Sequence, residues 1–257
     1  RLSPDFEAAA DGIRGLAEEL IAGRRAALAA EEDAETPDDA LTLLLRAEES
    51  PEVDLPPNQV RDEIATLLIA GHETTALSTS YTLSLLAWHP SVRERVREEA
   101  ERVLDGGPPT AADVDDLAFT KRAYQEALRL YPPAWAVFRR ADRDVRLGEY
   151  RVEADSAVIV PLWSIHRDKR YFDHPTTFDP DRWARRDPNS VDAYLPFSTG
   201  PHACIGRNFA LSGATLTVAR LVRDFDIEVD KRALDDLRVT PTLRPADEIR
   251  ADVTPRS

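Results

Sequence analysis

The sequence predicts a mainly α-helical protein with small β-sheets, and three observations carry that prediction. A stretch over 58–89 runs from Pro57 to Pro90 without another proline and is rich in Ile, Leu and Trp; as a helix it would span roughly 45 Å. Apolar residues recur at helical spacing over 4–30, 118–131 and 207–224. The period turns to alternation only in short stretches, 145–152 and 157–160.

Composition sets the outer bounds. The 257 residues are 42% hydrophobic and 31% charged, as expected of a folded chain able to bury a sizeable core. The formal net charge of −14 disfavours nucleic acid and anionic membranes as partners. Only Lys121, Lys169 and Lys231 stand among 33 basic residues, which suits either a high-salt cytoplasm or a GC-rich genome. One cysteine excludes an internal disulfide and a multi-cysteine zinc site. No apolar run is long enough for a membrane span and there is no signal-peptide pattern, so the expected location is cytoplasmic. Methionine is absent and the chain opens mid-pattern at Arg1, the expectation for a piece of a longer protein.

In chain order, 4–30 reads as a helix, 31–39 as an acidic connector, and Thr36-Pro37-Asp38-Asp39 as the start of a short second helix. Pro56-Pro57-Asn58 opens the long helix, whose apolar residues spread around its circumference and predict burial. Its centre, Ala70-Gly71-His72-Glu73-Thr74-Thr75, is anomalous there. A buried acid and hydroxyls are costly without partners or a task, and Gly71 forfeits about 1 kcal/mol of helix stability relative to Ala. Either the threonines bond back to the helix and Glu73 is structurally paired, or a flat ligand approaches the backbone.

A charged helix follows over 92–104, then a Gly-Gly-Pro-Pro turn and a short acidic helix over 110–117. In the 118–131 helix, Glu126 and Arg129 share a face and are set among Leu128, Leu130 and Tyr131. The same Glu-x-x-Arg spacing occurs at Glu94/Arg97 and Glu99/Arg102, where charges on every side predict exposure. Residues 145–152 read as a hairpin, 157–160 as a strand, 163–168 as a short helix, and 139–195 as a whole as a β and meander region. The loop 196–206 holds the only cysteine, Cys204, just before the helix over 207–224. Free cysteine is commonly an inert buried thiol, yet a helix N-terminus favours an anion and hence a thiolate. Beyond it, 225–229 and 239–243 suggest a terminal hairpin within 225–257.

Phe197, Gly200, His202, Cys204 and Gly206 fill a Phe-x-x-Gly-x-basic-x-Cys-x-Gly pattern that resembles the haem-ligating loop of the cytochrome P-450 family, His202 standing where Arg is commoner. The hexad 70–75 resembles that family's oxygen-binding segment, Glu126-Ala127-Leu128-Arg129-Leu130-Tyr131-Pro132-Pro133 its Glu-x-x-Arg helix, and Phe178-Asp179-Pro180-Asp181-Arg182-Trp183 its Phe-x-Pro-x-Arg segment. All four stand in the family's order. The resemblance implies that 1–257 is the C-terminal, larger part of a single cytochrome P-450 domain whose N-terminal part is missing.

The same resemblance implies residue roles. Cys204 would be the axial ligand of the iron of haem b. His202 and Arg139 would meet its propionates, with Arg140 as an exposed neighbour. Phe197 and Gly206 would shape the proximal loop, Ala70 and Gly71 the distal face, and Glu73 with Thr74 would steer protons to dioxygen. Glu126, Arg129 and Arg182 would form a buried structural ion-pair network. The implied activity is that of a haem-thiolate monooxygenase, an oxidoreductase acting on a small, apolar organic substrate and dioxygen. Two electrons would come from NAD(P)H through a separate donor of the ferredoxin or flavodoxin/reductase type, since the chain carries no flavin or NAD fingerprint and no iron–sulfur cysteines. That donor would dock near Arg185, Arg186 and Arg207. A haem-thiolate isomerase or peroxygenase, a haem sensor and an inactive fragment are the other readings.

Overall fold

The computed structural model describes residues 3–30 and 38–256. It is mainly helical, with four small two-stranded antiparallel sheets among the described residues. The chain separates into two compact units, Arg1–Glu73 and Thr74–Ser257.

The first unit holds α1 (Pro4–Ala30), α2 (Ala40–Glu49) and the beginning of α3 (Gln59–Trp88). Ala17 and Ile21 of α1, Leu45 of α2, and Val60 and Ile64 of α3 form its core. Asp39 caps α2 by accepting from the Thr42 backbone N–H at 2.9 Å and takes the Arg24 guanidinium at 2.8 Å. These donors hold its carboxyl well down, at about 2. Of the expected acidic connector, 31–37, including Thr36 and Pro37, lies outside the described residues.

The second unit contains the rest of α3, then α4 (Pro90–Leu104), a 3-10 turn (Ala111–Val114) and α5 (Ala118–Leu130). Strands β1 (Val137–Arg140), β2 (Val145–Leu147), β3 (Tyr150–Val152) and β4 (Ala157–Val160) follow. After them come α6 (Leu162–Ile165), α7 (Arg182–Arg185), α8 (Arg207–Asp224) and strands β5 (Phe225–Val229), β6 (Leu237–Val239), β7 (Leu243–Pro245) and β8 (Ala251–Pro255). Helices α4, α5 and α8 pack on one another, and their core, with Leu85 and Leu86 of α3, includes Val96, Phe119, Ala123, Ala127, Val218 and Val222.

Several expectations need correction. Helix α3 is not buried throughout: Ile69 is 56% exposed, and Ala70, Gly71 and His72 are exposed, while Ser78, Tyr81, Thr82, Ser84, Leu85 and Leu86 are buried. Its buried hydroxyls satisfy themselves locally, Thr82 Oγ1 donating to the Ser78 carbonyl and Ser84 Oγ to that of Ser80. Arg97 and Glu99 are buried, not exposed. Arg97 is neutralised by Glu94 at 2.9 Å and Asp226 at 2.7 Å. Glu99 accepts from the backbone N–H groups of Phe119 and Thr120 at 2.8 and 2.7 Å, capping the first turn of α5 from a neighbouring helix.

Strand β1 begins two residues before the expected β and meander region 139–195 and pairs with β4, placing Arg139 opposite Val158. The expected terminal hairpin is also different. β5 pairs with β8, Ile227 opposite Val253, whereas 239–243 spans the turn of a separate β6–β7 hairpin. Pro241 in that turn has no N–H to donate to a ladder.

Candidate functional site

The Cys204 loop is built outward from Leu195. The Ser198 N–H donates to the Leu195 carbonyl at 3.0 Å, and the Cys204 N–H donates to the Phe197 carbonyl at 2.9 Å, closing the loop on itself. Ser198 and Gly200 take φ values of +58° and +70°. Glycine adopts that left-handed region freely, whereas serine is strained there. The Phe197 ring lies against Tyr124 and Leu128 of α5 and Leu211 and Ala214 of α8, so the loop is anchored to two helices through one aromatic side chain.

Cys204 is exposed, three residues before Arg207 opens α8 with Gly206 as its N-cap. A Cβ added at Gly206 would come within 3.9 Å of the Cys204 sulfur, an ordinary contact that the position tolerates. Ile205 and Phe209 beside it are 88% and 84% exposed, so the thiol rises from an apolar surface. His202 is exposed in the 3-10 turn Gly200–His202. Arg139 is exposed on β1 and donates to the Phe138 carbonyl at 2.9 Å; Arg140 pairs with Asp155 at 3.1 Å. The three arginines expected to offer a positive face are all exposed; Arg185 pairs with Asp179 at 2.5 Å, while Arg207 donates to the neutral Asn189 and keeps its charge.

Glu126, Arg129 and Arg182 are brought together in the core. The first two are fully buried and Arg182 is 9% exposed. Arg129 grips Glu126 with two N–H groups at 3.0 and 2.7 Å, and Arg182 Nε donates to the same carboxylate at 3.3 Å. The Asp179 backbone N–H adds a fourth donor at 3.2 Å. The remaining Arg129 donors reach the carbonyls of His166, Pro175 and Thr177 at 2.7, 2.6 and 3.1 Å. Every charge in this buried cluster is hydrogen-bonded as well as paired, the condition under which such a cluster is tolerated.

Ala70, Gly71 and Glu73 stand on the part of α3 that belongs to the first unit, and Thr74 begins the second. Glu73 and Thr74 are half-buried. A Cβ at Gly71 would meet nothing within 4 Å, so no packing neighbour demands glycine there. Ser78 Oγ, one turn on, bonds to the Thr74 carbonyl at 2.8 Å and to Tyr124 Oη at 2.8 Å, tying the Thr74 turn to α5. Burial raises the Tyr124 phenol pKa, keeping it a neutral hydrogen-bonding group.

Two buried polar residues near the site carry no signal in the sequence. Ser78 looks like an ordinary small helical residue, and His166 lies in a segment expected only to be a short helix. His166 is fully buried, and its Nε2 accepts from the Leu195 N–H at 3.0 Å. Burial, with the positive Arg129 alongside, lowers its pKa to about 3, so the ring is neutral.

Among the described residues no three His, Cys, Asp or Glu side chains converge as a bare metal site. A single exposed thiol on an apolar surface can hold a metal only as one ligand of a group that brings its other ligands with it. No helix among the described residues is long and apolar enough to cross a membrane.

A family model described as Cytochrome P450 matches residues 1–248. The chain is 36% identical over 213 residues to "Cyclooctat-9-en-7-ol 5-monooxygenase" of Streptomyces melanosporofaciens, covering 81% of this chain and 45% of that protein. It is 35% identical over 198 residues to "Pentalenene oxygenase" of Streptomyces avermitilis, covering 76% and 44%. It is 35% identical over 211 residues to "Protein LUTEIN DEFICIENT 5, chloroplastic" of Arabidopsis thaliana, covering 79% and 35%. The chain thus spans 35% to 45% of the length of these relatives.

Proposed function

We propose that this chain, which belongs to the cytochrome P450 family, carries the haem-thiolate half of a monooxygenase that oxidises a small organic molecule. The family implies haem, and the residues present fit it. Cys204 offers one soft sulfur ligand beside the exposed apolar side chains of Ile205 and Phe209. His202 and Arg139 are exposed and suited to its two propionates. When bound, haem with a thiolate ligand supplies the activation of dioxygen and oxygen transfer.

The chain's own residues do the remaining work. Cys204 would hold the haem iron through its sulfur, and the Phe197 anchor with the Cys204 N–H bond holds its backbone in place. Gly71 keeps the α3 surface low beside Ala70, so that a flat group can approach the helix backbone. Glu73 and Thr74, an acid and an alcohol in succession on one turn, would relay protons through carboxyl and hydroxyl. Glu126, Arg129 and Arg182 keep the meander folded behind the loop. The two electrons come from a separate ferredoxin- or flavodoxin/reductase-type donor fed by NAD(P)H. The names of the two Streptomyces relatives, a monooxygenase and an oxygenase, support oxygenation over isomerisation.

The observation that carries this reading is the single exposed thiol closing a loop beside a helix start. Its test is the spectrum of the reduced, carbon monoxide-bound protein. A red-shifted, thiolate-type Soret band that disappears in Cys204→Ser is expected. The same band in Cys204→Ser would rule the ligand out. Thr74→Ala should lower coupled substrate oxidation by roughly a hundredfold; unchanged coupling would favour the isomerase or sensor reading.

A further inference from the structure

We propose that His166 is a positioning residue for the cysteine loop: its neutral imidazole accepts the Leu195 N–H and so ties the loop's first residue to the Glu126–Arg129–Arg182 cluster. The proposal rests on the reading of Cys204 as the haem ligand.

His166 is held at three points. Its backbone N–H donates to the Leu162 carbonyl at 2.8 Å, and its carbonyl accepts from Arg129 Nη1 at 2.7 Å. Its ring accepts from Leu195 at 3.0 Å. The ring also lies 5.6 Å from that of Tyr194, whose hydroxyl donates to the Gln125 carbonyl of α5 at 2.8 Å. Leu195 is therefore pinned on both sides, its N–H by His166 and its carbonyl by Ser198. The bonds that shape 195–204 are counted from that residue.

The hydrogen placement follows from the bond. Because Nε2 is the acceptor, the proton of the neutral ring is on Nδ1. Nδ1 is buried and has no hydrogen-bond partner among the described residues. An orphaned buried donor is unfavourable, and an apolar side chain of similar size would remove it. A histidine at this position is explained by what Nε2 does for Leu195, not by filling space. A glutamine places its carbonyl oxygen near the reach of Nε2, whereas leucine offers no acceptor.

The experiment compares His166→Leu and His166→Gln with the wild type, using the full chain loaded with haem. In the wild type, nitrogen NMR should report an Nδ1-protonated ring whose Nε2 is an acceptor. In His166→Leu the Leu195 amide should exchange roughly tenfold faster or more. Part of the carbon monoxide-complex Soret band should also move from the thiolate-type to the unshifted position, with an altered reduction potential. His166→Gln should restore both. A ring protonated on Nε2 overturns the proposal. So does a His166→Leu protein that melts lower yet keeps the Leu195 exchange rate, the Soret band and the potential, since that describes a packing residue. Should His166→Leu not fold, the wild-type tautomer and the His166→Gln spectrum decide. If Cys204→Ser leaves the Soret band in place, the ligand reading fails, while the Leu195 exchange rates still decide the hydrogen bond.

Discussion

A single histidine makes the fold of this chain pH-dependent in a defined direction. His166 has its pKa lowered from 6.5 to about 3 by burial and by the nearby positive charges of Arg129 and Arg167. Once unfolded, the ring takes up a proton near 6.5. Between those values the unfolded chain binds more protons, so the contribution of His166 is complete above about pH 6.5 and is lost as the pH falls toward 3. From pH 7.5 to 5 the wild type should lose about 2 kcal/mol more stability in urea than His166→Gln does. Equal losses would show the ring to be solvated or protonated in the fold. Ser198 makes a second prediction at this scale. Its φ of +58° is strained for serine, so Ser198→Gly should raise stability by about 1 kcal/mol in the same assay; a fall would mean that the serine side chain contributes more than its backbone costs.

At the scale of elements, the most instructive case is α5. Its N-cap, Leu117, provides no side-chain acceptor, and Glu99 of α4 takes the Phe119 and Thr120 N–H groups instead. Glu99→Ala leaves two buried N–H donors and the buried Thr120 hydroxyl without their acceptor and should cost about 2–4 kcal/mol of unfolding free energy; no measurable loss would mean that water replaces the carboxylate. This also shows what a sequence conceals. Glu99 sits among charged neighbours and reads as exposed, because local charge density says nothing about a helix packed alongside. Helices were legible where punctuation is local: α8 spans Arg207–Asp224, between Gly206 and the alternating Phe225–Val229. Strand partners were not legible, since β5 finds β8 more than twenty residues later. At the site, Cys204 stands out as the one thiol, and Glu126 and Arg129 by their apolar neighbours Leu128, Leu130 and Tyr131 rather than by spacing, which recurs elsewhere. His166 stayed hidden because its significance lies in burial and in a bond to Leu195, 29 residues away.

At the scale of the whole chain, the buried cluster on α5 fixes an order of events. Arg129 spends its donors on carbonyls 37, 46 and 48 residues further along. Helix α5 can form locally, but its guanidinium cannot leave water until the segment from His166 to Thr177 has arrived to receive it. The Cys204 loop is tied to the near end of that segment by the Leu195 N–H bond to His166, so its anchorage depends on the same closure. The cluster should accordingly be absent from the rate-limiting barrier. Arg182→Lys should accelerate unfolding while leaving the folding rate nearly unchanged, and a matching slowdown in folding would place the cluster earlier. If unfolding alone speeds up, the Cys204 loop is a late-setting part of the chain, a thiol kept on a floppy tether until the polypeptide behind it has set.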